Sequence, residues 1–89
     1  MIRMDIHKVL LRPVSTEKAI KMMEGDNKLT FIVNRRATKE DIRHAFEELF
    51  QTKVVKVNTL VAPSGEKKAI IKLPADKPAL DIATQLGIM

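Results

Sequence analysis

Eighty-nine residues with a net charge of +5 and a pI near 9.8 make one small basic domain, residues 1–89, in the size range where burial is incomplete and a permanent partner adds stability. The charge points to an anionic partner, either nucleic acid or an acidic surface. The lack of cysteine excludes disulfides and thiolate metal sites, and the charged opening MIRMDIHKVLLRPV holds no apolar stretch of signal-peptide or membrane-spanning length, so a soluble, cytoplasmic protein is expected.

Residues 7–12 (HKVLLR) form a short apolar run ended by Pro13, which reads as a brief edge strand or extended arm because Pro disfavours helix at the residue before it. Ser15 is placed to N-cap a helix over residues 16–24, with Val14 and Ala19 as its apolar staple and Gly25 to terminate it. Residues 29–33 alternate, with Leu29, Phe31 and Val33 on one face and Thr30 and Ile32 on the other, the pattern of a strand. The clearest helical signal follows at residues 38–50, where Ile42, Ala45, Phe46, Leu49 and Phe50 make one apolar stripe. Thr38 and Asp41 suit a capping box there, and Glu40 and Asp41 suit the positive end of the helix.

Residues 54–73 read as a β-hairpin. Val55, Val57, Thr59 and Val61 share one face on the way out, and Ala69, Ile71 and Leu73 share it on the way back. The other face carries Lys56, Asn58, Lys68, Ile70 and Lys72, and Ala62, Pro63, Ser64 and Gly65 fit a type I turn between the two runs. Pro74 stops the second strand, Asp76 is placed as a cap, and residues 77–86 form a short helix with Ala79, Ile82, Ala83 and Leu86 on its apolar side, ending at Gly87. The order (β)αβαββα predicts an α+β fold: a four-stranded, mainly antiparallel sheet with three helices.

Signals for catalysis are thin. His44 lies beside Glu40, Glu47 and Glu48, the setting of a solvated ion-pairing residue, and those acids share a helix face instead of converging as hard-cation ligands do. The three glycines stand alone at 25, 65 and 87, so no glycine-rich phosphate loop exists. No enzyme activity, cofactor, metal or small-molecule substrate is expected. With Phe31, Phe46 and Phe50 as the only aromatics, unpaired bases have no platform of exposed rings to stack on.

The charge itself is concentrated. Residues 28–72 hold ten basic and five acidic side chains, whereas residues 1–27 net to +1 and residues 73–89 to −1. A single strand lysine is explained by edge protection or solubility. Collectively, however, Arg35, Arg36, Lys39 and Arg43 gather at one helix start while Lys56, Lys68 and Lys72 share a strand face with Asn58. That grouping favours an anion-binding surface, where arginine grips phosphates bidentately and a helix N-terminus adds donors.

The stretches RPVSTEKA at 12–19, LTFIVNRRATKEDIRHAFEELF at 29–50, VVKVNTL at 54–60 and GEKKAIIKL at 65–73 resemble, in spacing and order, the universal large-subunit ribosomal protein L23 family. The closing LPADKPALDIATQLGIM is similar to the archaeal and eukaryotic branch. The resemblance implies a ribosome-bound α+β domain on large-subunit rRNA near the polypeptide exit tunnel. It also implies a neighbouring protein of the L29 family, and a share in docking nascent-chain factors such as the signal recognition particle and the protein-conducting channel. The expected RNA contacts, centred on the basic clusters, are Arg12, Lys18, Asn34, Arg35, Arg36, Lys39, Arg43, Lys56, Asn58, Thr59, Lys67, Lys68 and Lys72.

Proteins would then take the less basic segments 16–24 and 76–89, with Glu17, Lys21 and Gln85 as candidate contacts. Glu17 matches the family's S/T-E-K motif, which in bacterial relatives meets the chaperone trigger factor. Bacterial members carry a long basic extension between the last two strands; here residues 62–66 leave room only for a tight turn, so no tunnel-lining role is implied. Apart from the resemblance, the residues also admit a small regulatory or ligand-binding α+β domain.

Overall fold

The computed structural model describes residues 5–87. Along the chain these form α1 (Ile6–Val9), β1 (Leu10–Pro13), α2 (Glu17–Asp26), β2 (Lys28–Val33), α3 (Lys39–Phe50), β3 (Lys56–Val61), β4 (Lys67–Lys72) and α4 (Ala79–Leu86). The strands lie in the order β1-β2-β4-β3 and every neighbouring pair is antiparallel. The expected α+β class holds, with four helices among the described residues in place of three.

The extra helix comes from the first apolar run. Asp5 accepts a hydrogen bond from the His7 amide at 2.9 Å and starts a single turn, and only Leu10–Pro13 is strand. A register shift between Leu10 and Arg12 leaves Leu11 exposed and returns Arg12 to pair with Ile32. Pro13 is tolerated because β1 is an edge strand.

α3 forms as its sequence demands. Thr38 Oγ1 accepts from the Asp41 amide at 3.1 Å and Asp41 Oδ2 accepts from the Thr38 amide at 3.0 Å, a reciprocal capping box. Its buried stripe, Ile42, Ala45 and Phe46 with half-buried Phe50, packs on Leu29, Phe31, Val33, Val57, Ala69 and Ile71. Phe31 meets Phe46 edge-on with centroids 6.0 Å apart, and Phe46 lies 4.7 Å from Phe50. Leu49, expected in this stripe, is 38% exposed; Val55 falls at a bend before β3, where Val54 takes the buried place instead, and Val61 is exposed at the end of this edge strand.

The hairpin turn closes as read. The Gly65 amide donates to Ala62 O and the Ala62 amide to Glu66 O, both at 2.8 Å, and Gly65 takes φ +92°, which a side chain would disfavour.

Three expected caps sit elsewhere. Thr16, not Ser15, N-caps α2 by accepting from the Ala19 amide at 3.3 Å. Gly25 stays helical, and the left-handed C-cap is Asn27 (φ 56°), whose side chain is held by the far end of the chain. Asn27 Nδ2 donates to the carbonyls of Leu73, Pro74 and Lys77 at 2.9–3.2 Å, and its Oδ1 accepts from the Ala79 amide at 2.6 Å. Asn27 therefore does from outside what Asp76 was expected to do, since Pro78 at the N-cap of α4 offers no side-chain acceptor. Ala79, Ile82 and Ala83 bury α4 in the core.

Candidate nucleic-acid interface

Strand register fixes which side chains stand together, because directly opposed residues share a face and successive ones alternate. The core face takes Leu29, Phe31, Val33, Val57, Ala69 and Ile71. On the other face three rows cross the sheet: Arg12, Ile32, Lys68 and Leu60; then Thr30, Ile70 and Asn58; then Lys28, Lys72 and Lys56. Lys56 and Lys72 are exposed, Lys28 and Lys68 half-buried. The last row was not legible as a row in the sequence, and Lys28 was absent from the expected contacts. Its parity with Thr30 and Ile32 was the one available signal.

At the hairpin end, a shallow concavity is lined by Arg12, Asn34, Arg35, Arg36, Glu66 and Lys67. It adjoins a second, lined among others by Arg12, Thr16, Ile32, Glu66 and Lys68. A third hollow brings Lys18 of α2 to the same side as Lys68. Arg12 Nη2 donates to Glu66 Oε2 at 2.7 Å, an ion pair open to solvent on both sides. Asn34 shapes the loop: its Oδ1 accepts from the Arg36 amide at 3.0 Å and its carbonyl from the Ala37 amide, which throws Arg35 and Arg36 outward.

Other expected contacts are placed differently. Lys67 has core-face parity, opposite Val33 and Val61, and its Nζ donates to Ala37 O at 2.6 Å, so its ammonium supports the turn before α3. Thr59 pairs with Ala69 on that same side. Exposed Lys39 and half-buried Arg43 belong to α3, in the layer across the sheet from Lys56, Lys68 and Lys72. Glu47, one of the acids around His44, has a structural use: its Oε2 accepts from the Val54 amide at 3.0 Å. Among the described residues no three metal-ligating side chains come together, and no helix is long and apolar enough to cross a membrane.

Glu17 and Lys21 are exposed on α2, 3.9 Å apart, and Gln85 is exposed on α4; these two helices touch each other.

A family model described as Ribosomal protein L23 matches residues 8–69, which run from α1 into β4 and include Arg12, Arg35, Arg36, Lys56 and Lys68. The chain belongs to the ribosomal protein L23 family. It is also 48% identical over 85 residues to the large ribosomal subunit protein uL23 of Methanothermobacter thermautotrophicus, covering 96% of this chain and 99% of the relative. The family match stops before α4, whereas the archaeal alignment leaves out only four residues of this chain and so reaches into that helix. The closing segment is thus shared with an archaeal L23, in keeping with the branch that its sequence resembles.

Proposed function

We propose that this chain is a structural constituent of the large ribosomal subunit that binds large-subunit rRNA near the polypeptide exit tunnel. The observation that carries the reading is the sheet face opposite α3, where Arg12, Lys56, Lys68 and Lys72 stand together. The adjoining concavity adds Arg35 and Arg36. Family membership supplies the context. A surface of this kind holds RNA by neutralising phosphates and releasing counterions.

Titrating an Arg35→Ala, Arg36→Ala double variant against large-subunit RNA tests this. The parent's affinity should fall steeply with salt, and the variant's log–log slope should be shallower by roughly 2, near one unit per lost contact. An unchanged slope removes both residues from the interface.

The segments around Glu17, Lys21 and Gln85 are left for proteins: a neighbour of the L29 family and, in turn, the signal recognition particle or the protein-conducting channel. Support comes from charge, since α2 and α4 carry little of the basic surplus and pack side by side. Crosslinkers at Glu17, Lys21 and Gln85 on assembled ribosomes should recover protein. Recovery of rRNA alone from all three positions would overturn this division.

A further inference from the structure

The sheet face opposite α3, bordered by α2 and the segment that leads into it, presents its charge as two separate stations. Lys28, Lys72 and Lys56 stand directly opposite one another on β2, β4 and β3. Neither ion pair of the described residues, Arg12 with Glu66 or Glu17 with Lys21, involves them. Like charges placed opposite one another across strands oppose folding, so three ammonium groups abreast are an arrangement that an anion relieves.

The second station is the row of Arg12 and Lys68, which flank Ile32. It lies four residues farther along β2 and β4, roughly 13 Å at the rise of a strand. Between the stations runs an uncharged row, Thr30, Ile70 and Asn58, in which Thr30 is buried beside α2 while half-buried Asn58 offers an amide.

We propose that this face lies across the minor groove of a double-stranded rRNA segment, with the lysine row on the phosphates of one strand and the Arg12–Lys68 row on those of the other. The proposal rests on the rRNA-binding reading above and specifies the form of RNA taken. The minor groove of A-form RNA is wide and shallow, is bordered by two phosphate runs, and displays 2′-hydroxyls that an amide such as that of Asn58 can meet. The deep, narrow major groove does not admit a sheet. An unpaired strand would call for rings on which to stack, and the chain's three aromatic rings lie together on the core side of the sheet. The Arg12–Glu66 pair is open enough to solvent, at 61% and 39% side-chain exposure, to exchange its carboxylate for a phosphate at little cost.

Hydroxyl-radical footprinting of the full chain on large-subunit rRNA tests the arrangement. The parent should protect two tracts on the opposite strands of one helix. A Lys28→Gln, Lys56→Gln, Lys72→Gln variant should lose one tract, and an Arg12→Gln, Lys68→Gln variant the other. Their log–log salt slopes should fall by roughly 3 and roughly 2, respectively. The triple variant should melt no lower than the parent, which separates lost binding from lost folding. Protection confined to an unpaired segment, or loss of the same tract in both variants, overturns the duplex arrangement and leaves rRNA binding standing. No protection by the parent overturns both.

Discussion

On one side of the sheet Leu29, Phe31, Val33, Val57, Ala69 and Ile71 are buried beneath helices, while on the other the same three strands carry Lys28, Lys56, Lys68 and Lys72. The residues that hold the fold and the residues assigned to RNA are therefore chain neighbours: Ala69 beside Lys68, Ile71 beside Lys72, Val57 beside Lys56. With a side-chain period of two, a slip of one residue would exchange the faces. Core packing thus does more than stabilise the domain. It sets the spacing between cationic rows to within a strand step, from the far side of the sheet.

If the two faces divide stability from binding, substitutions should separate them. The largest effect is expected from Phe46→Ala, which empties a fully buried site against Phe31 and Phe50 and should cost on the order of 3 to 5 kcal/mol. That is a large share of what so small a domain has. Thermal melting of the isolated protein reads it, and a curve superimposable on the parent's would show that Phe46 is not part of the core.

Lys72→Gln should act in the opposite direction, because Lys72 is flanked on both sides, by Lys28 and by Lys56. Relieving that repulsion should raise stability at low ionic strength by about 0.2 to 1 kcal/mol, while RNA affinity falls. Urea denaturation paired with RNA titration gives both signs on one preparation. A variant that loses stability and affinity together would break the division between the faces.

Local chemistry explains what was legible in the sequence. The span of α3 and its Thr38–Asp41 box follow from side chains within four residues of one another, and so do the β3–β4 turn and the alternation that puts Lys56, Lys68 and Lys72 on one face. What could not be read depends on partners distant in the chain. Lys28 joins the lysine row only because β2 pairs with β4, some forty residues later. Lys67 reads as one more surface cation, yet Ala37 O claims its ammonium. Gly25 and Asp76 are good caps by local rules, but Asn27 supersedes both because a single amide can satisfy several backbone groups at the far end of the chain. The family resemblance rested on whole motifs and so survived these local misreadings.

The Asn27 latch also bears on when the domain can come into being. Its side-chain hydrogen bonds join residues 46 to 52 positions apart, and the sheet partner of β2 is also supplied from the second half of the chain. Loop closure over such spans costs only slowly more with length, but contacts of high sequence separation retard folding. A chain emerging during synthesis reaches residue 33 with only four-residue β1 available to pair with β2. It cannot seat Asn27 until Ala79 has appeared. Folding is thereby deferred until residue 79 has been made, and loss of α4 would be felt at the end of α2, 52 residues upstream.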